Sequence, residues 1–209
     1  MKIHDISMAI RPGMQVYKNK EEKKPAITMT RTLEEGAQES KLTMDLHTGT
    51  HLDAPSHMLK GGDPITKFPL EKGISRATVI DLTSVQGGIT EKDLASHKIM
   101  PDEFILLKTR NSFTEKFDLE FVYLEKSGAQ FLARKKVSGV GIDGLGIERS
   151  QPGHETHTTL LKKGIVVLEG LRLKQISAGT YTLVCLPLAI EQGDASPVRA
   201  VLIEGDLVG

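Results

Sequence analysis

The sequence predicts an α/β fold built on a mixed, largely covered sheet with few helices. Three observations lead there. Runs rich in β-branched and aliphatic residues recur along the whole chain. Several are apolar at consecutive positions, as strands covered on both faces are. Helical signals, by contrast, appear in only three places.

The extended runs come first. AITMTRTL (26–33), KLTMDLH (41–47), ATVIDL (77–82), EFILLKT (103–109), VSGVGID (137–143), GIVVLEG (164–170), TYTLVCL (180–186) and VRAVLIE (198–204) all favour strands. Thr90 opens TEKDLASH with a hydroxyl residue three positions before Asp93, a capping signature. Residues 122–135 form a second expected helix, with Leu124, Ala129, Leu132 and Ala133 as its buried face. A third, over 155–162, ends before Gly164. The charge run KNKEEKK (18–24) reads as an exposed, mobile loop. No repeat or linker divides the chain, so residues 1–209 are expected to form one domain.

Lys plus Arg and Asp plus Glu number 27 each, which argues against nucleic acid or anionic membrane as a partner and leaves a small-molecule substrate. No apolar run approaches the ~20 residues of a membrane span, and the start lacks a signal-peptide core. Cys185 is the single cysteine, so no internal disulfide is expected and a cytoplasmic location follows.

Five of the seven histidines fall in two short segments. The first is His47-Thr48-Gly49-Thr50-His51-Leu52-Asp53-Ala54-Pro55-Ser56-His57, which offers the nitrogen and oxygen ligands that bind Zn²⁺ or Mn²⁺. Gly49, Thr50 and Pro55 disfavour a helix. On an extended path His51 and Asp53 project to one side, and a bend at Gly49 lets His47 reach the same ion. The second segment is His154-Glu155-Thr156-His157, followed by Glu169 at the end of an apolar run where an unpaired carboxylate would be costly. Glu155 and His154 read as exposed helix residues. Asp194, Ser196 and Arg199 read as a structural turn, with an anion contact through Arg199 as the alternative. Cys185 reads as core, and Asp143 as either a turn cap or a residue lining the site.

H-x-G-T-H-x-D-x-P-x-H, here His47 to His57, resembles the signature of the cyclase or kynurenine formamidase (arylformamidase) family of metal-dependent hydrolases. HTTLLKKGIVVLEGL is similar to the family's second metal segment, and LPLAIEQGDASPVRAVLI (186–203) to its closing block. VIDL (79–82), LLKTRN (106–111) and GID (141–143) fall in the family's order. The resemblance implies a swivelling β/β/α fold, a homodimer or homotetramer, and one or two divalent ions, zinc foremost and manganese the alternative. It also implies a ligand set: His47, His51 and Asp53 for a first ion, with Asp53 bridging to a second held by His157 and Glu169. His57 is then a non-ligand acid/base.

The implied reaction is hydrolysis of an amide or formamide bond. Cyclic amide (lactam) or ester hydrolysis, or a cyclase reaction, is the alternative on the same fold. A non-catalytic metal-binding module is the alternative of another class, against which the spare His57 argues. The chain departs from the family after Pro12-Gly13-Met14, where Gln15-Val16-Tyr17-Lys18-Asn19-Lys20 follows. With no tryptophan and 4% aromatic residues, the composition argues against a kynurenine-type aromatic substrate.

Overall fold

The computed structural model describes residues 1–205. Its strands, in chain order, begin with β1 (Lys2–Asp5), β2 (Ala26–Arg31), β3 (Glu39–Thr43), β4 (His51–Asp53), β5 (Ile74–Asp81) and β6 (Gly88–Ile89). Then follow β7 (Phe104–Lys108), β8 (Tyr123–Leu124), β9 (Gly139–Ile142), β10 (Val166–Glu169), β11 (Gly179–Val184), β12 (Ala195–Pro197) and β13 (Val201–Glu204). The helices are α1 (Glu91–Ala95), α2 (Lys126–Lys135) and α3 (Glu155–Lys162).

Nine strands form one mixed sheet in the order β1-β13-β11-β5-β7-β9-β10-β4-β12. The central strands β5, β7, β9 and β10 run parallel, and the outer pairs are antiparallel. This is the mixed α/β architecture expected. β7 shows why its sequence is continuously apolar: Phe104 and Leu106 face one core, Ile105 and Leu107 the other. The second core packs Leu94, Leu132 and Leu160 of α1, α2 and α3 against the sheet. The first draws Leu52, Leu168, Leu183 and Leu202 from strands far apart in the order, so the sheet curls around it.

Helix α1 starts as expected, since Thr90 and Asp93 complete a reciprocal capping box. Helix α2 starts four residues later than expected. Tyr123 and Leu124 pair with β6 instead, and Glu125 caps the helix by accepting from Ser127 N–H at 3.3 Å. Residues 44–47 leave the extended path at the end of β3, so His47 lies in a turn. The charge run forms two single 3₁₀ turns, Tyr17–Asn19 and Glu21–Lys23, with Lys23 tied to Asp45 at 3.0 Å. Strand β4 realises the extended path expected at His51–Asp53, whereas β1, β6, β8 and β12 have no counterpart among the expected runs; each is four residues or fewer, too short for a repeating pattern to mark it.

Candidate metal centre

The site is built where β4 and β10 lie side by side. Antiparallel pairing places Glu169 directly opposite His51, and Asp53 two residues along β4 projects to the same side as His51. Gly49, at φ +68°, turns the chain so that His47 comes back over this pair. Gly170, at φ +70°, lies so close to Gly49 that no side chain fits between them. Thr50 locks the junction: its hydroxyl donates to the Gly170 carbonyl at 2.7 Å and accepts from Met8 N–H at 2.8 Å. Helix α3 carries His157 in from the other side.

The atoms that meet here are imidazole nitrogens and carboxylate oxygens. His51 Nε2 is 3.5 Å from Asp53 Oδ1 and 3.4 Å from Glu169 Oε2. His157 Nε2 is 3.4 Å from Asp53 Oδ2 and 3.4 Å from Glu169 Oε1. His47 Nδ1 is 3.1 Å from Asp53 Oδ1. His51, Asp53, His157 and Glu169 are all buried, and His47 is half-buried. Among the described residues, both oxygens of Asp53 and Nε2 of His51 are enclosed with no hydrogen-bond partner.

That pattern fits a divalent ion better than a hydrogen-bond network. Neutral hydrogen bonds close to ~2.9 Å. Two ligand atoms each ~2.1 Å from one tetrahedral ion stand roughly 3.4 Å apart. The separations around His51 and His157 match the second spacing. The tautomer of His51 agrees, because its Nδ1 faces the Gly49 carbonyl at 2.9 Å. A carbonyl only accepts, so Nδ1 carries the proton and the Nε2 lone pair is aimed at two carboxylates. Such a lone pair needs a cation between itself and them, whether a proton or a metal ion.

The charges reflect the same frustration. Burial opposes a charge on His51, but the Asp53 and Glu169 carboxylates outweigh it and raise its pKa to about 10. Burial likewise opposes ionisation of Glu169, as does the nearby Asp53, yet His157 and His51 bring it down to about 2. His157 is raised well above its ordinary value against burial, mainly by Asp53. Asp53 is held well below the carboxylate range, with His157 the strongest of its three imidazole partners. Without metal, protons therefore occupy the nitrogens a metal ion would take.

His57 differs from these. It follows β4 in a 3₁₀ turn, half-buried, its ring 4.2 Å from that of His47 and 5.7 Å from that of His157. Burial lowers its pKa, so it is neutral at pH 7. All six residues singled out from the sequence (His47, His51, Asp53, His57, His157 and Glu169) are thus brought together.

Two more carboxylates belong to the surroundings. Asp194 lies in the expected turn before β12, and from there its Oδ2 comes within 3.2 Å of His47 Nε2 and 3.7 Å of His57 Nδ1. The β4–β12 pairing carries it there, because Ala54 N–H donates to the Asp194 carbonyl. Glu148 carried no expectation at all. It is buried beside His157, and the signal that could have found it is a carboxylate directly after the short apolar stretch GLGI (144–147).

The remaining candidates stand apart. Asp143 is a cap, accepting from the backbone N–H and hydroxyl of Thr109 and Ser112. Arg199 pairs with Asp5 on the surface, and Ser196 is held by Leu188 N–H and Pro197 O. Cys185 is buried in the core. Glu155 pairs with Lys126, and His154 is exposed, as expected, though it also meets Glu148.

A cleft of about 450 Å³ opens over the centre and is lined by His47, His57, His157 and Glu169. Its lining includes Tyr17, Phe117 and Phe121, with ring centroids 5.3–6.4 Å apart, Tyr17 edge to face with both phenylalanines and the two phenylalanines tilted to each other. One third of the chain's nine aromatic residues are gathered here. Overall aromatic content was therefore a poor guide to this pocket.

Residues 4–149 match the family described as putative cyclase. The chain is 34% identical over 164 residues to a kynurenine formamidase of Bacillus cereus, with 78% of each chain covered. It is 32% identical over 206 residues to one of Salinibacter ruber, covering 97% of each. Among solved structures, a potential metal-dependent hydrolase with cyclase activity superposes with a TM-score of 0.92 at 44% identity, covering 98% of both chains. Isatin hydrolase A of Labrenzia aggregata shares the fold, with a TM-score of 0.85 at 21% identity over 98% and 94% of the two chains. On this convergence of motif, site and relatives, the chain belongs to the cyclase family, as one of its hydrolases.

Proposed function

We propose that this chain hydrolyses an amide or formamide bond attached to an aromatic group, as a metal-dependent enzyme similar to kynurenine formamidase. The observation that carries the reading is the convergence of unpaired imidazole and carboxylate atoms at ligand-like separations on the floor of an aromatic-walled cleft. His47, His51 and Asp53 would hold one ion, and His157 and Glu169 a second, with Asp53 shared. Glu169 faces both His51 and His157, so it too can reach either ion. A nitrogen- and carboxylate-rich set of this kind suits zinc, with manganese the alternative. A divalent ion there supplies a water whose pKa falls from about 15.7 toward 7 and a positive charge for the oxyanion of the transition state.

The chain's own residues do the rest. Tyr17, Phe117 and Phe121 hold the aryl group and lay its amide over the floor of the cleft. His57, neutral at pH 7, accepts a proton from the attacking water and returns it to the departing nitrogen. Asp194, beside the rings of both His47 and His57, steadies the imidazolium that forms between those two transfers.

A homo-oligomer is part of the same reading. The β2–β3 ribbon is exposed along its length, and its register sets Ile27 opposite Leu42 with Met29 on the same face. A lone two-stranded ribbon is marginal in water, so an apolar face of this kind calls for a second copy to cover it. No helix is long and apolar enough to cross a membrane among the described residues. A single, buried cysteine accords with a cytoplasmic site of action.

The test is elemental analysis of the purified protein followed by a screen of zinc- and manganese-loaded enzyme against aryl formamides, fused aryl lactams and aryl esters. Preferential turnover of formamides supports the proposal, and preference for lactams moves it to the cyclic-amide alternative. Tight metal binding with no turnover of any class leaves a metal-binding module.

A further inference from the structure

We propose that Glu148 is a positioning residue that selects the tautomer of His157 and so aims its Nε2 into the metal centre. The inference rests on the metal-site reading above and goes beyond it to a residue outside the ligand set. Glu148 is buried, and its two oxygens have different surroundings. Oε2 accepts from Thr156 N–H at 2.9 Å and from Gln151 Nε2 at 3.2 Å, at the start of helix α3. Oε1 lies 2.7 Å from His154 Nδ1 and 3.0 Å from His157 Nδ1, the latter off the axis of the ring N–H bond.

An ionised carboxylate only accepts, so the His157 nitrogen that faces it is the one that carries hydrogen. Nε2 is then left as a lone pair directed at Asp53 Oδ2 and Glu169 Oε1. Imidazole ligands generally have such a partner on the far nitrogen, and its loss typically weakens metal binding about 10–100-fold. His154 does not compete as a ligand, because its side chain is mostly exposed and already faces the same oxygen.

Glu148 also helps cap α3, so its structural and positioning roles must be separated. Glu148→Gln does this. Thr156 N–H and the Gln151 amide both require an acceptor, which fixes the new amide oxygen at the Oε2 position. The amide NH₂ then faces His157 Nδ1 and donates to it, leaving hydrogen on Nε2, where a metal ion should bind. The cap is kept and the tautomer is reversed.

Zinc affinity, measured by competition with a chromogenic chelator, should fall about 10–100-fold in Glu148→Gln while circular dichroism shows the variant folded as wild type. Nitrogen-15 NMR of zinc-loaded wild type should place the His157 hydrogen on Nδ1. Wild-type zinc affinity in Glu148→Gln would overturn the inference and leave Glu148 as a helix cap. So would an Nε2–H tautomer in the wild-type protein, which needs no variant to fold. Failure of the wild type itself to bind zinc or manganese would instead sink the metal-site reading.

Discussion

A side chain placed on Gly170 would put its Cβ 2.1 Å from the carbonyl oxygen of Gly49. Each glycine adjoins a candidate ligand, Glu169 in one segment and the His47–His51 bend in the other. Their contact brings two segments more than a hundred residues apart to within reach of one ion. Both also have positive φ, which side-chain-bearing residues adopt only at a cost.

Gly170→Ala is therefore expected to damage stability and metal binding together. Backbone strain of about 1–3 kcal/mol adds to a clash with main chain that cannot rotate away. Gly164→Ala is the control: its φ is +66°, but the nearest atom is the tip of Lys72 at 3.9 Å. That variant should lose only about 1–2 kcal/mol and retain its metal. Denaturant melts with metal analysis check the pair, and equal metal content in both variants would count against the contact as the organiser of the site.

His57 and His51 should separate chemistry from binding. His57→Ala is expected to lower turnover about 10²–10⁴-fold, the usual range for a general acid/base, with metal content near wild type. His51→Ala, which removes a buried nitrogen between Asp53 and Glu169, should lose metal and activity together. The assignment fails if His57→Ala strips the metal as completely as His51→Ala, or keeps full activity on the true substrate.

The chelated protein should be most stable in mildly acidic solution. His51 ordinarily titrates at 6.5 and is raised to about 10 in the fold, so its contribution is full below 6.5 and lost as pH rises through about 10. Glu169 is lowered from 4.5 to about 2, so its contribution is full above 4.5 and lost as pH falls through about 2. Between pH 4.5 and 6.5 both are intact. Melting temperatures of chelated protein should fall from pH 6.5 toward 10, and zinc should reverse the alkaline loss while releasing protons. A melting temperature unchanged across that range would refute the account.

The exposed face of the β2–β3 ribbon predicts a change of assembly. Ile27→Glu combined with Leu42→Glu places two charges opposite each other on the apolar face, disfavouring any copy packed there. Sedimentation should report a smaller species for the variant than for wild type. An unchanged sedimentation coefficient would show that the ribbon does not mediate assembly.

The sequence by itself determined whatever depends on neighbouring residues. Two-residue spacing puts His51 and Asp53 on one side of a strand, and Gly49 permits the bend that returns His47. Thr90 and Asp93 cap α1, and the unbroken apolar run Phe104–Leu107 announces a strand covered on both faces. The family resemblance extended that local information to His57, His157 and Glu169. Tertiary structure alone decided the strand order, the place of short strands such as β12, and the roles of Asp194 and Glu148. Those two carboxylates look like ordinary turn and loop residues along the chain. Their chemistry comes from what lies across from them: His47 and His57 for Asp194, His154 and His157 for Glu148. A carboxylate's interactions fall off within a few ångströms of space whatever the separation along the chain, so folding had to bring the partners together before either role existed.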